Sequence, residues 1–414
     1  MMRQTKILVI ARAGVLFFTI NAWSAFEIHP RLLLAEEYND NIFLSDNNEE
    51  EDWITTVAPG VSLSYKNRSV DTTVDYSLRY RFYKDHEDET RDEFKDVQRA
   101  DATVLFFSGR PFTLRLSETI SSEELDERDR GADYNELVNR STVYHSMVSP
   151  EYRLQLTPTF SLDFGYTYDR FDYVEPEGID SEEHIGRFSL VKQLTATTDV
   201  FARYTYIIHQ SDDAADEFDR QDYTLGLNQE LSGRITAAIE AGLSEVEYDS
   251  GFDTDGMVWS VDVSYNLSEP LTFTIGFLQD FETTAVDGLT KTREASFGAG
   301  YQRESLTAST ELFWNNSDYV RLDREDEAYG IRFDLSKPLA SALTFHVDAE
   351  YERAEYDDPG TNEEVNRVTL GTSLDYEYRR FLASLGYRYR INESDIDTND
   401  YDNNIVTLSG TLRF

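Results

Sequence analysis

The chain has 414 residues, no cysteine, and 79 acidic against 38 basic residues, a formal charge of −41. That balance excludes nucleic acid as a partner, because a phosphate backbone is bound by basic patches. The absence of cysteine excludes disulfides, and 26 Tyr with 25 Phe exclude a disordered acidic polymer.

Residues 1–24 read as a signal peptide. Arg3, Lys6 and Arg12 precede the apolar run Val15 to Ile20, and Ala22-Trp23-Ser24 places small residues where a signal peptidase inspects them. The mature chain is expected to start at Ala25. The apolar run is far short of the roughly 20 residues a membrane-spanning helix needs, and nothing downstream approaches one. The mean hydropathy of −0.53 would suggest a soluble protein. A barrel strand escapes that average, since it crosses with about 9–11 residues and turns half of them to a polar interior.

Period-2 segments then recur to the end of the chain. A first strand is expected near Ile28 to Phe43. Val70, Thr72, Val74, Tyr76, Leu78, Tyr80 and Phe82 alternate with Asp71, Thr73, Asp75, Ser77, Arg79, Arg81 and Tyr83. Phe160 to Asp169, Ile235 to Leu243, Leu271 to Phe277, Leu343 to Tyr351 and Val368 to Tyr378 follow the same rule, which a helix does not. Val406, Leu408, Leu412 and Phe414 share the apolar face of a last strand, and the closing aromatic Phe414 reads as an outer-membrane assembly signal.

Two kinds of connection take turns between these strands. Nine are short: Lys66-Asn67-Arg68, Gly109-Arg110-Pro111, Leu156-Thr157-Pro158, Thr195 to Thr198, Ser232-Gly233, Ser268-Glu269-Pro270, Arg303-Glu304-Ser305, Lys337-Pro338 and Arg379-Arg380. Ten are long and acidic, among them Asp85 to Asp96, Glu123 to Asp133, Glu245 to Asp255, Asp318 to Glu327, Glu355 to Glu364 and Glu393 to Asp402. The alternation predicts an all-β fold in one domain over 25–414. It is a transmembrane antiparallel β-barrel of about 20 strands (18–22), with short periplasmic turns and long acidic extracellular loops. A propeller or an array of β-sandwiches competes, but no blade motif recurs.

On such strands the polar face lines the lumen. Asp71, Asp75, Arg79 and Arg81 fall on one wall, and Arg332 and Asp334 on another. His346, Asp348 and Glu350 fall on a third, and Arg367, Asp375, Arg388 and Arg390 on a fourth. Opposed arginine and carboxylate rows suit a pore lining that orients polar solutes; they equally suit cross-strand ion pairs of a narrow or plugged barrel. A loop folded inward against Arg79, Arg81, Arg388 and Arg390 would mark the closed alternative. Tyr204, Tyr206, Tyr387, Tyr389, Trp53, Trp259 and Trp314 fit an interfacial girdle better than a sugar-stacking path. The acidic run Asp395 to Asn404 matches no EF-hand loop, so diffuse cation bridging to lipopolysaccharide is expected there rather than a metal site. The six histidines show no metal or catalytic spacing, and His145 and Ser146 point to opposite faces, so neither an enzyme nor a cofactor is expected.

The segment Glu36-Glu37-Tyr38-Asn39-Asp40-Asn41-Ile42-Phe43, with Trp53-Ile54-Thr55 and Pro59-Gly60-Val61-Ser62-Leu63 after an acidic stretch, resembles the opening of the beta-barrel porin 2 family. That resemblance implies an outer-membrane channel associated with exopolysaccharide loci. Its expected partners are outer-membrane lipid and lipopolysaccharide, the barrel-assembly machinery and exopolysaccharide export proteins. Two functions follow: conduction of exopolysaccharide or another hydrophilic solute, or a non-conducting surface barrel that binds cations or matrix polymer. If acids dominate the open pore, reversal potentials should report cation selectivity; anion selectivity would give control to the arginine rows.

Overall fold

The computed structural model describes residues 26–126, 128, 135–174, 178–358 and 361–414. The expected signal peptide, 1–24, lies outside them. Twenty-one antiparallel strand segments run from Phe26–Asn39 to Tyr401–Arg413. Val70–Leu78 and Tyr80–Tyr83 hold one register against Asp52–Lys66 and form a single stave interrupted at Arg79, so the staves number 20. The first stave pairs with the last, from Arg31↔Arg413 to Asn39↔Ile405, and the barrel closes.

Alternation along each strand dictates the outer surface. Leu225, Leu408 and Leu243 are 68%, 59% and 58% exposed, and their even-spaced neighbours continue the same apolar belt. In water so large an apolar surface would drive association; in lipid it is solvated. Above the belt, outward-facing aromatics hydrogen-bond polar residues on neighbouring strands. Tyr206 donates to Asp219 (2.6 Å), Trp314 to Glu327 (2.6 Å), Tyr351 to Asn366 (3.1 Å) and Tyr387 to Asn404 (2.7 Å). These amphipathic rings mark the outer interface, with an apolar body in lipid and a polar tip at the headgroups.

The strands do not stop at that girdle. Leu343–Asp358 continues seven residues past Tyr351, roughly 23 Å at about 3.3 Å per residue. Much of the acidic sequence expected to form long loops is therefore strand. Only Asp249–Phe252 separates Ile235–Tyr248 from Asp253–Ser268, and Glu355–Asp358 and Thr361–Glu364 are both paired. Acids are tolerated because these strand ends stand in water, where the backbone ladder still satisfies its own donors. The long connections are 40–51, 84–97 and 125–139.

Other boundaries also differ from the sequence expectation, Leu156 and Thr157 among them, which close the strand Arg140–Thr157. Lys337 and Pro338 lie inside Glu325–Ala340, and the turn is Ser341-Ala342; the proline, which lacks a donor, sits beside a register shift near the strand end. The first strand ends at Asn39 rather than reaching Phe43. Asn39 Oδ1 accepts from the Asn41 amide (2.9 Å) and Asn41 Oδ1 from the Ser45 amide (2.9 Å), two side-chain turns that pull the chain off the ladder.

Lipid-face and lumen-face changes should separate. Leu370→Arg, near mid-belt, is expected to lower folding free energy into bilayers by about 2–4 kcal/mol. The lumen-facing Ser373→Arg should cost much less, as measured by urea titration of both variants in vesicles.

Candidate functional site

The walls and the extracellular mouth carry the charged groups. Asp75 pairs with Arg31 and accepts from Ser62 (2.7 Å). Asp71 pairs with Lys66 beside a short turn. Arg332 joins Glu350 (2.8 Å) and Glu311 (3.6 Å) and lies over the Phe313 ring. His346 faces Asp375 (3.3 Å), which also accepts from Ser384 (2.6 Å). Asp348 meets Arg388 (3.5 Å) and stands opposite Asp334. Arg367 binds Glu352 (2.9 Å) and Asn392 (2.8 Å), while Arg390 lies against Tyr401. All of these occupy the inward face of their strands, alternating with the belt residues. Phe414 stays on the outer face, 56% exposed, with its amide bonded to the Pro30 carbonyl (2.9 Å).

Exposure falls along the inner wall toward the extracellular end. The side chains of Arg413 and Glu377, near the short turns, are 52% and 59% exposed; those of Arg81 and Arg220, at the other end, are 2% and 7%. The cause is a roof of inward-folded connections. Ile42 packs with Ile54 and Tyr83, and Leu44 with Tyr401, while Leu137 and Val138 join these two clusters. Across the mouth, pairing of Asp253–Ser268 with Leu271–Thr283 stops at Trp259↔Gln279. Beyond it, the next hairpin leans over the lumen, packing Phe281 and Leu289 on Phe218, Val246, Tyr248 and Val258.

Two ionic centres lock the roof. In one, Glu136 is held by Arg79 (3.0 Å), Arg99 (3.3 Å) and Arg81 (3.9 Å), and Glu37 pairs with Arg81 (3.1 Å). Burial raises the Glu136 carboxyl, but the surrounding guanidiniums overcome it and hold it down at about 2. Here a loop does fold against Arg79 and Arg81; Arg388 and Arg390 stay on the wall.

The other centre spans the mouth. Arg128, between the fifth and sixth staves, reaches Asp126 (2.8 Å), Asp358 (3.2 Å) and Asp287 (3.6 Å). Arg324, between the fifteenth and sixteenth staves, holds Asp287 (2.5 Å), Asp326 and Asp126 (3.8 Å), stacked 3.9 Å over Tyr319. Ten staves of 20 separate the two connections, so they join opposite walls. Further ties converge on the same hub. The Ile179 amide donates to the Ala285 carbonyl (3.0 Å), and Arg321 binds Asp216 (3.2 Å). Gly288, at φ +77°, passes so close to Asp216 that a Cβ would sit 2.8 Å from its carboxylate.

Five of these roof residues, Glu136, Arg128, Asp126, Arg324 and Asp287, were invisible to a reading that treated the connections as solvated acid. The signal was there in arginines embedded in acidic runs and in apolar Ile42, Leu44, Leu137 and Val138 between strands. His145 pairs with Asp169 (2.5 Å), and Ser146 donates to Glu118 (2.6 Å) on the other face. His86 bridges Asp52 (2.8 Å) and Glu50 (2.7 Å). Among the described residues no group of three or more His, Asp or Glu is arranged to hold a metal ion. In the run Asp395 to Asn404, Asp395 and Asp400 accept from the backbone amides of Glu364 and Ser394.

Breaking a centre strands a carboxylate: without Arg324, Asp326 loses its cation and keeps the Tyr319 hydroxyl (3.0 Å), while Asp126 and Asp287 share Arg128. Arg324→Ala should destabilise the roof by about 3–5 kcal/mol, read as faster amide exchange at 284–288 with the strands unchanged. Glu136, with its pKa depressed, supports the roof fully above about pH 4.5 and loses that support as pH falls toward 2. His86 behaves oppositely. Its hydrogen bonds to Glu50 and Asp52 raise its pKa, so its contribution is complete below about pH 6.5 and disappears as pH climbs through the raised value. Exchange in 84–97 should therefore quicken at alkaline pH, and a pH-independent rate after correction for intrinsic exchange would contradict this.

The geometry can be set beside known proteins. No curated protein matches the chain. Among solved structures, the FrpB iron transporter from Neisseria meningitidis is similar at 10% identity, covering 94% of this chain and 83% of its own, with a TM-score of 0.50. A mutant of the ferric enterobactin receptor PfeA from Pseudomonas aeruginosa, also at 10% identity, covers 94% and 80% with a TM-score of 0.52. These likenesses show an outer-membrane barrel fold and nothing finer. A family model described as surface lipoprotein assembly modifier matches residues 45–254, just over half of the chain. The beta-barrel porin 2 family expected from Glu36–Phe43 and Trp53 to Leu63 is not shown by these comparisons; the match begins after the first of those segments and includes the second. By that match, the chain belongs to the surface lipoprotein assembly modifier family.

Proposed function

We propose that this barrel serves the outer membrane of a Gram-negative bacterium as a gated passage for placing a lipoprotein at the cell surface. The observation that carries the reading is the roof. A standing pore needs an open mouth, whereas here opposite walls are joined through Arg128, Asp126, Arg324 and Asp287. A roof held by ion pairs on connections, above a water-accessible lower lumen, suits a passage that opens for a cargo. The family's description supplies the cargo class. Partners in this reading are the lipoprotein, lipopolysaccharide around the girdle, and the barrel-assembly machinery that inserts the chain. In this reading the barrel is not an enzyme: His86, His145 and His209 hydrogen-bond carboxylates, and His184 bonds the Tyr166 hydroxyl.

Quantitative surface proteolysis of cells with and without the protein tests this directly. At least one lipoprotein should lose protease accessibility while its total amount stays constant. An unchanged set of surface lipoproteins would refute the proposal.

A second reading, porin-like passage of exopolysaccharide with export proteins as partners, is favoured by the charged ladder of Arg332, Glu350, Asp348 and Arg388 on the inner wall. Planar-bilayer conductance separates the two. The gated reading predicts silence from the wild type and steps from Arg128→Ala/Arg324→Ala. Stable wild-type steps blocked by oligosaccharide would favour the porin.

A further inference from the structure

Four guanidiniums gather at the inner edge of the roof. Arg79 and Arg81 come from the third stave, Arg99 from the fourth, and Arg91 from the connection between them, where its backbone bridges that of Arg81 (3.0 and 3.2 Å). Among the described residues, the carboxylates in ion-pair contact with this group are Glu136 and Glu37. Asp96 meets Arg99 through its backbone carbonyl (2.8 Å). In a chain of charge −41 this is a local excess of cation. It is also undersupplied with acceptors. Arg81 is 2% exposed, yet its Nε and Nη1 have no hydrogen-bond partner, and neither does Arg79 Nε. A guanidinium cannot shed its proton to escape that cost, so the cluster is short of acceptor oxygens.

The acceptor now present is detachable. The arginines Arg79, Arg81 and Arg99 are fixed on the wall, but Glu136 rides on a connection, between Asn135, which donates to the Ile42 carbonyl (2.8 Å), and Leu137, which packs on the Ile42 cluster. The Arg79 side chain, 40% exposed, leaves the group reachable from the lumen. We infer that Arg79, Arg81, Arg91 and Arg99 form an oxyanion-binding site, occupied at rest by the Glu136 carboxylate, which a carboxylate or phosphate group entering from the lumen displaces. Planar guanidiniums match both groups through paired donors. Displacement frees Asn135 to Val138 from Ile42 and Leu44, so binding loosens this side of the roof.

The test uses the full-length barrel folded in detergent, with sodium phosphate, sodium acetate and sodium chloride at equal ionic strength. Phosphate, acetate or both should speed amide exchange at 135–139 and at Ile42 to Leu44 in the wild type, while chloride does not. Which anion acts assigns the group. In calorimetry, Glu136→Gln should bind the active anion at least tenfold more tightly than the wild type, and adding Arg79→Gln should cancel the gain. Exchange indifferent to both oxyanions, or affinity unchanged by Glu136→Gln, would overturn the site. Should Glu136→Gln fail to show the mobility of a folded barrel on unheated gels, the wild-type exchange experiment decides alone.

Discussion

Every backbone donor that faces hydrocarbon must find its acceptor within the protein, and this chain meets that demand by pairing Phe26–Asn39 with Tyr401–Arg413. Closure fixes everything else. It gives each strand an outer face that lipid can solvate and an inner face that water or other side chains must satisfy. It also fixes which connections lie opposite one another, so that the turn carrying Arg324 stands across the mouth from the one carrying Arg128.

The same strands change character along their length. Near the short turns the inner wall is wet, and pairs such as Arg413 with Glu377 are screened and worth little. Toward the extracellular end the roof excludes water, and pairs around Arg81 and Arg324 lie in low dielectric, where losing one partner strands the other. The two roof centres have opposite balance: guanidiniums outnumber carboxylates around Glu136, and carboxylates outnumber guanidiniums around Arg324. A roof built this way is stable as a set and sensitive to any charge that competes for one member. That balance is what the proposed gated passage requires.

The barrel was legible in the sequence because a period of two is a local signal. Val70 to Tyr83 and Val406 to Phe414 declare their faces without help from any distant residue, and nine short turns counted against ten other connections gave the stave number. Faces of the wall residues followed by simple alternation. Partners did not follow, since Arg332 with Glu350 or His346 with Asp375 depends on register between strands. The roof was illegible for a stronger reason. Its contacts join residues such as Asp126 and Arg324, far apart in sequence and brought together only by closure. Acidic composition suggested solvated loops, and Lys337-Pro338 suggested a turn, because local propensity cannot see that a ladder continues into water beyond the girdle. Leu44, Leu137 and Val138 were the overlooked hint, being apolar residues between strands that had no reason to be apolar if solvated, while Ile42 had been expected inside the first strand.

The claim that the mouth is roofed can be tested without disturbing either ionic centre. The Ile179 amide and Ala285 carbonyl lie 3.0 Å apart, on connections after the seventh and thirteenth staves, and the chain has no cysteine of its own. In the double variant Ile179→Cys/Ala285→Cys, folded in lipid and mildly oxidised, a roof predicts a disulfide, because backbones so close bring the two residues within its reach. Thiols that stay free in the folded protein, while a control pair on adjacent strands cross-links, would mean that the connections stand apart and the mouth is open.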